Sequence, residues 1–84
     1  MPKLPRVPAV KVIRALERMG FVQVRQKGSH VILKKTLPVN EENDQEIIEV
    51  GCVVPLHHKD LAVGTLKSIL NQAGISVEEF LNYL

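Results

Sequence analysis

The sequence is poor in cysteine and aromatic residues, and it has no long apolar run. Its 84 residues include one cysteine, no tryptophan, one tyrosine and two phenylalanines. The single Cys52 excludes an internal disulfide and favours a reducing compartment. No stretch resembles a signal peptide or approaches the ~18 apolar residues of a membrane span. We therefore expect a soluble cytoplasmic protein without membrane association, whose core is built from valine, isoleucine and leucine.

Motifs that bind metals or nucleotides are also missing. His57 and His58 are adjacent, and no spacing typical of zinc ligands connects them with His30 or Cys52. No glycine-rich phosphate-binding pattern is present. Cys52 lies in an apolar run, where a thiol usually packs as a small inert side chain. We therefore expect no metal, no small-molecule cofactor and no catalytic thiol.

Charge is distributed very unevenly along the chain. Residues 1–40 hold nine of the eleven lysines and arginines and one acid, a net charge of +8. Residues 41–84 hold two cations and eight acids, a net charge of −6. A basic half suggests a polyanionic partner, with nucleic acid as the first candidate. An ordinary solvated surface is the alternative explanation.

Apolar residues at helical spacing predict a first helix over residues 8–19, which ends at Gly20. The apolar stripe of this helix is core material. Lys11, Arg14 and Arg18 fall on its outward face. Contact with RNA and simple solvation explain each of these cations equally well.

Three later stretches have the alternating, β-branched character of strands: residues 21–26, 29–35 and 47–54. Gly28 supplies the backbone freedom for a tight hairpin turn between the first two. Residues 36–46 contain a proline, two asparagines and four acids, which predicts a mobile acidic loop between the second and third strands.

Two helices are predicted after the strands. We expect Thr65 to be the N-cap of the first, which ends at Gly74. Ser76 and Glu79 have the separation of a capping box, so a short last helix begins there.

These elements predict an α+β fold. The order is helix, three antiparallel strands, helix and short helix, with the helices on one face of a small sheet in a two-layer arrangement. The chain, residues 1–84, is long enough for one core only, and prolines keep the segment 1–7 extended.

His30 opens the second strand among cations, directly after the glycine turn. Alternation places His30, Ile32 and Lys34 on one face of that strand. Imidazole titrates near neutral pH, so it suits general acid or base chemistry on an RNA backbone. The alternative is a turn histidine that only makes backbone hydrogen bonds.

Several segments, taken together, resemble the HicA toxins. Lys27-Gly28-Ser29-His30 lies on the hairpin, and Val54-Pro55-Leu56-His57 follows the third strand. Next comes Gly64-Thr65-Leu66-Lys67-Ser68-Ile69-Leu70, and then Ala73-Gly74 and Glu78-Glu79-Phe80. The order of these segments in so short a chain is far more specific than the glycine-serine-histidine turn alone. The likeness runs from the first helix through Phe80, and the acidic loop and the extra His58 depart from the family pattern.

The resemblance carries expectations about fold, activity and partners. It implies a fold like the double-stranded RNA-binding domain and ribosome-independent cleavage of mRNA without a metal. It also implies neutralisation by a HicB-type antitoxin. The essential histidine of the family falls on His30, its preceding glycine on Gly28, and its second, less essential histidine on His57.

The chemistry of RNA cleavage suggests roles for the neighbours of His30. The reaction deprotonates a 2′-OH and protonates the leaving 5′-oxygen, and His30 could serve either step. Lys27, Arg25 and Lys34 are candidates to hold the phosphate. Ser29 shapes the turn or bonds the phosphate.

Two other functional classes stay open. One is a non-catalytic double-stranded RNA-binding module of the same fold, in which Lys11 and Arg14 contact the groove. The other is a protein-interaction domain without RNA affinity. We further expect the acidic loop, residues 36–46, to lie near the basic surface and to lower the affinity for RNA.

Overall fold

The computed structural model describes residues 3–40, 43–56 and 60–84, with the backbone alone for 39–40 and 43–46. Six elements follow one another: α1 (Ala9–Arg18), β1 (Val22–Lys27), β2 (His30–Asn40), β3 (Asn43–Pro55), α2 (Val63–Ala73) and α3 (Val77–Tyr83). The strands form one antiparallel sheet in the order β1-β2-β3. The predicted α+β fold is confirmed. In the described part of the chain, no helix is long and apolar enough to cross a membrane.

The helices pack on one face of the sheet and leave the other face open. Val31 and Leu33 of β2 are buried, whereas Ile32 is half-buried and Lys34 is exposed. This alternation confirms that His30, Ile32 and Lys34 share the open face. The fully buried side chains that the helices contribute to the core include Leu16, Leu66, Leu70 and Phe80. Among the described residues, every buried side chain is apolar.

A lysine connects the C-terminal end of α1 to the central strand. The Lys35 Nζ donates a hydrogen bond to the Met19 carbonyl oxygen at 2.7 Å and lies 5.9 Å from the centroid of the Phe21 ring. The last carbonyls of a helix have no partner within the helix, and the helix dipole favours a cation there. Lys35 therefore stabilises the end of α1 and fixes it to β2.

The start of α2 differs from the prediction. The helix begins at Val63, with Ala62 at the N-cap and no side-chain cap, so the assignment of Thr65 as N-cap is wrong. Leu66 N–H already donates to the Ala62 carbonyl at 3.0 Å, which closes the first turn across the glycine that suggested a boundary. At the other end, Gly74 adopts a left-handed φ of 70°, as expected for a helix stop.

The start of α3 agrees with the sequence. Ser76 is its N-cap, and its hydroxyl oxygen accepts a hydrogen bond from the backbone N–H of Glu79 at 3.1 Å. The serine half of the predicted capping box is therefore present.

The expectation of an acidic loop over residues 36–46 is wrong for the described backbone. β2 continues to Asn40, β3 starts at Asn43, and the two strands pair from Thr36 opposite Glu49 to Asn40 opposite Asn43. Pro38 is compatible with this pairing because β1 begins at Val22, opposite Lys34, so beyond that pair β2 has a free edge where a proline removes no ladder bond. We call this two-stranded extension, residues 36–49, the hairpin arm.

The hairpin arm points away from His30. His30 begins β2 and Asn40 ends it, so ten residue steps of ~3.3 Å, or ~33 Å, separate them along the strand. This distance concerns His30 alone, and the expectation that the acidic segment lies near the basic surface and lowers the affinity for RNA stays a prediction.

Candidate active site

The turn before His30 is a two-residue hairpin. Lys27 and His30 are directly opposite each other in the β1–β2 register, and Gly28 and Ser29 form the loop between them. Gly28 has a φ of 59°, and no described non-glycine residue has a positive φ. Glycine with positive φ at the first central position is typical of a type II′ turn, whose twist suits a hairpin. The Gln26 Nε2 donates to the Gly28 carbonyl at 3.1 Å and supports the turn.

His30 is held by strands on both sides. Lys27 of β1 pairs with it on one side and Pro55 of β3 on the other. The backbone N–H of Leu56 donates to the Ser29 carbonyl at 2.6 Å, which ties the turn to the end of β3. The His30 side chain is nevertheless exposed. The backbone of this histidine is thus fixed in the central strand, between β1 and β3. The open face of the sheet leaves room for a long substrate beside its side chain.

Arg25 and Lys27 lie on the open face close to His30. Arg25 pairs with Ile32, one side-chain row from the Lys27–His30 pair, and both cations are exposed. Neither forms an ion pair within the described part of the chain. Both are therefore available to a phosphate beside the imidazole.

Lys34 is placed differently. It lies on the same face but further along the strand, opposite Val22, and its Nζ is 3.0 Å from the Glu49 Oε1. Both side chains are about half exposed, so the pair adds little stability. Its acidic neighbour makes Lys34 a weaker candidate for phosphate binding than Lys27.

The cations of α1 belong to the other layer of the domain. Lys11 and Arg14 are exposed and line a cleft of about 200 Å³ together with Val7, Arg18 and Leu84. The Arg18 Nη1 donates to the Tyr83 carbonyl at 2.9 Å, so this arginine holds the C-terminal turn. The structure therefore brings Arg25, Lys27 and His30 together but leaves the α1 cations on a separate basic surface.

The described residues provide neither a reactive thiol nor a metal site in addition to His30. Cys52 is buried, and burial raises the pKa of its thiol from 9.0 to about 11, which suits a packing role and excludes a ready thiolate nucleophile. Within the described residues, no cluster of three or more histidine, cysteine or acidic side chains could hold a metal. His57, expected to be the second histidine of the site, lies outside the described residues.

Sequence reasoning missed two supporting contacts of this face. The Gln26 side chain bonds the turn, and a glutamine just before a glycine turn is the local signal that could have indicated it. Glu49 pairs with Lys34, but this contact depends on the register of a hairpin whose length was predicted wrongly. No local pattern could therefore have revealed it.

Comparison with known proteins identifies the family. A comparison with curated proteins found no match to the chain. The family model described as "HicA toxin of bacterial toxin-antitoxin" matches residues 9–75, which spans the elements from the start of α1 to just beyond α2. The match includes the turn, all three strands and the helix with the glycine-threonine-leucine segment. The chain therefore belongs to the HicA toxin family of bacterial toxin–antitoxin systems.

Proposed function

We propose that this HicA-family chain is a ribosome-independent mRNA endoribonuclease, the toxin of a pair whose antitoxin is of the HicB type. Cleavage depends on His30 and needs no metal. The observation that supports this most directly is the pairing of an exposed imidazole with a cation, Lys27, at the open end of the central strand. Family membership supports the toxin role.

The proposed reaction is an internal transesterification of RNA. The 2′-oxygen loses its proton and forms a bond to the adjacent phosphorus, while the bond from phosphorus to the 5′-oxygen breaks. The products are a 2′,3′-cyclic phosphate and a 5′-hydroxyl end. One proton leaves the 2′-OH and one reaches the 5′-oxygen, and His30 carries out one of these transfers. We assign the other transfer to His57.

The cations near the turn take the role of electrostatic stabilisers. Lys27 and Arg25 lie on the same face as His30, where they would bind the phosphate and the negative charge that develops on it. Ser29 and Gly28 shape the turn that sets the distance between imidazole and cation. Lys34, paired with Glu49, contributes less, and Lys11 and Arg14 extend RNA contact on the helix layer.

The decisive experiment compares the unmodified protein with His30→Ala on a long RNA in the presence of EDTA. General acid–base catalysis is worth roughly 10²–10⁴-fold, so we expect a loss of at least ~100-fold in the cleavage rate. Lys67→Ala, which removes an exposed cation from α2, serves as the matched control and should retain activity. Equal cleavage by the unmodified protein and His30→Ala, or cleavage by neither, would refute the assignment.

A non-catalytic double-stranded RNA-binding module is the second candidate function. The observation that favours it is the separate basic surface of α1, where Lys11 and Arg14 line a cleft away from His30. This function predicts salt-sensitive RNA binding by the unmodified protein without strand scission. Measuring binding and cleavage on one labelled RNA separates the two functions, because only the nuclease yields products that His30→Ala fails to produce.

A further inference from the structure

The open face of the sheet carries two transverse rows of side chains at the end where His30 lies. In the order β1, β2 and β3, the residues that pair across the strands are Lys27, His30 and Pro55 in the first row and Arg25, Ile32 and Val53 in the second. Neighbours within a row are ~4.8 Å apart, and the rows are two residue steps, or ~7 Å, apart. These side chains therefore form one continuous surface, which we call the end surface.

Charge and apolar character are separated across the end surface. Both of its β1 residues, Arg25 and Lys27, are exposed cations. Both of its β3 residues are apolar, and Val53 is 38% exposed although its two neighbours in β3 are buried. Ile32, between the two sides, is half-buried. His30 thus lies at the boundary between a cationic edge and an apolar strip.

The side of the apolar strip is closed to another β-strand. The Val53 N–H points out of the sheet edge and donates to the Gln72 Oε1 of α2 at 3.2 Å. Pro55 has no N–H to offer. A partner therefore reaches Val53 and Ile32 through their side chains, from the open face, and not by adding a strand beside β3.

The end surface stops at the Lys34–Glu49 ion pair. Lys34 and Gly51 are opposite each other in the third row, and a Cβ at Gly51 would lie 3.3 Å from the Lys34 Cγ. The stem of Lys34 thus leans across the sheet towards β3, where its Nζ is 3.0 Å from the Glu49 Oε1. The acid repels phosphate beyond the second row, so the first two rows form a site with a defined end.

We propose that the end surface binds an unpaired, single-stranded segment of RNA. Its phosphates lie along Lys27 and Arg25, and the faces of its bases lie over Ile32 and Val53. This inference rests on the proposed nuclease function and specifies its substrate. The phosphate that is cleaved lies beside Lys27 and His30, and the neighbouring phosphate lies beside Arg25.

The separation of charge identifies single-stranded RNA as the occupant. A single strand carries its phosphates on one side and presents unpaired bases, with apolar faces, on the other. A duplex encloses its base faces, so it would contact Arg25 and Lys27 but leave Ile32 and Val53 without a partner. An acidic peptide is the competing occupant. The closed β3 edge denies it strand pairing there, and the imidazole at the centre of the surface suits a phosphodiester.

The proposed chemistry selects the same substrate. In the transesterification, the 2′-oxygen must approach phosphorus opposite the departing 5′-oxygen, and rate depends strongly on that alignment. A flexible single strand reaches this geometry easily, whereas base pairing holds the backbone of a duplex in a regular helix. Cleavage should therefore be confined to unpaired parts of an RNA.

Binding by the inactive His30→Ala protein tests the preference without cleavage. Fluorescence anisotropy is measured at ~0.15 M salt for a labelled RNA of unstructured sequence, first alone and then annealed to its complement. We expect the single strand to bind at least ~5-fold more tightly, the effect of about one base contact. Equal affinity, or tighter binding of the duplex, would overturn the proposal.

Val53→Glu, in the same background, tests the position of the bases. A carboxylate under the bases should lower the affinity for the single strand at least ~5-fold. Ile47→Glu is the matched control, because Ile47 is an exposed aliphatic residue on the same face of the same strand. It lies six residue steps, or ~20 Å, from Val53, well beyond the ~8 Å screening length at this salt concentration. With both variants shown to be folded by urea unfolding, equal affinities would contradict the site.

Photo-cross-linking locates the bases without altering the end surface further. A single-stranded RNA that contains 4-thiouridine is irradiated with the His30→Ala protein, and the adducts are mapped by mass spectrometry. We expect adducts on Ile32, Val53 or Pro55. Adducts confined to α1 would overturn the proposal. A protein with no affinity for single-stranded RNA would also overturn it, and would leave the end surface to a protein partner.

A hairpin RNA with a long loop separates this inference from the nuclease function. We expect the unmodified protein to cut the loop and leave the stem intact. Equal cutting of stem and loop would overturn the preference for unpaired RNA but would support the nuclease function. Binding of the single strand at the end surface without any cleavage would refute the nuclease function and support the site.

Discussion

Lys27 and His30 face each other across a two-residue turn, with Gly28 at a φ of 59° between them. The cation and the imidazole therefore share one face at the open end of the sheet. Their separation is set by the turn and by the ladder that continues into β3. Changes that disturb the turn should act on chemistry through these two residues.

Gly28→Ala should reduce both stability and cleavage. A side chain in the left-handed region costs roughly 1–2 kcal/mol, although a Cβ at Gly28 would meet no atom within 4 Å. Gly64→Ala is the matched control, because its Cβ also meets nothing within 4 Å and it lies within α2. For Gly64→Ala we expect the free energy of unfolding to rise by roughly 0.5–1 kcal/mol. Urea unfolding and cleavage rates check both, and equal effects of the two substitutions would contradict the role of the turn.

Lys27→Gln should weaken RNA binding more than Lys34→Gln. Lys27 has no ion-pair partner among the described residues, whereas Lys34 is held by Glu49 at 3.0 Å. Losing one phosphate contact to single-stranded RNA should lower the slope of log K against log salt by about 0.7. Titrations at several salt concentrations, with the inactive His30→Ala background to prevent cleavage, measure that slope. If Lys34→Gln changes the slope more than Lys27→Gln does, then the ion pair with Glu49 does not keep Lys34 from binding phosphate.

Lys35→Met should destabilise the fold without affecting the site. The substitution keeps an unbranched side chain at this position but removes the 2.7 Å hydrogen bond to the Met19 carbonyl and the cation that lies 5.9 Å from the Phe21 ring centroid. A hydrogen bond from a charged donor is worth roughly 1.5–3 kcal/mol. Lys34→Met, which removes an exposed ion pair, should cost no more than ~1 kcal/mol. Unfolding in urea distinguishes them, and similar losses would mean that Lys35 does not stabilise α1.

Because the Cys52 thiol is buried, the free energy of unfolding should decrease in alkaline solution. The pKa of its thiol is about 11 in the folded chain, against 9.0 for an unburied cysteine thiol, so between these values the unfolded chain has lost the proton that the folded chain retains. In this range the folded chain binds more protons than the unfolded chain. The free energy of unfolding therefore decreases as pH rises from about 9 to about 11. Comparing this pH slope with that of Cys52→Ala isolates the thiol. Identical slopes would contradict the burial effect.

Much of the fold could be predicted because its signals are local. The apolar stripe of α1, the glycine turn, the alternation along β2 and the Ser76 cap each depend on residues close in sequence. The same locality allowed His30 to be placed on the open face of the sheet, next to the turn. Family resemblance then added a role that spacing alone could not give.

Apart from the N-cap of α2, the errors arose where a partner strand decides the structure. Pro38 and Asn40 are residues typical of a loop, yet in β2 they pair with Ile47 and Asn43 of β3. The Lys34–Glu49 ion pair depends on that same register. Tertiary pairing therefore overrode local composition in the hairpin arm, while the order of the elements is the one predicted.

The hairpin arm also determines where the chain can tolerate insertions and deletions. Its strands are anchored at the His30–Pro55 end, and the pairing runs outward from there to the Asn40–Asn43 pair. Adding two residues to each strand at the tip would move the tip by ~7 Å and leave every pair near His30 unchanged. The length of the arm can thus change without moving the paired residues at its base.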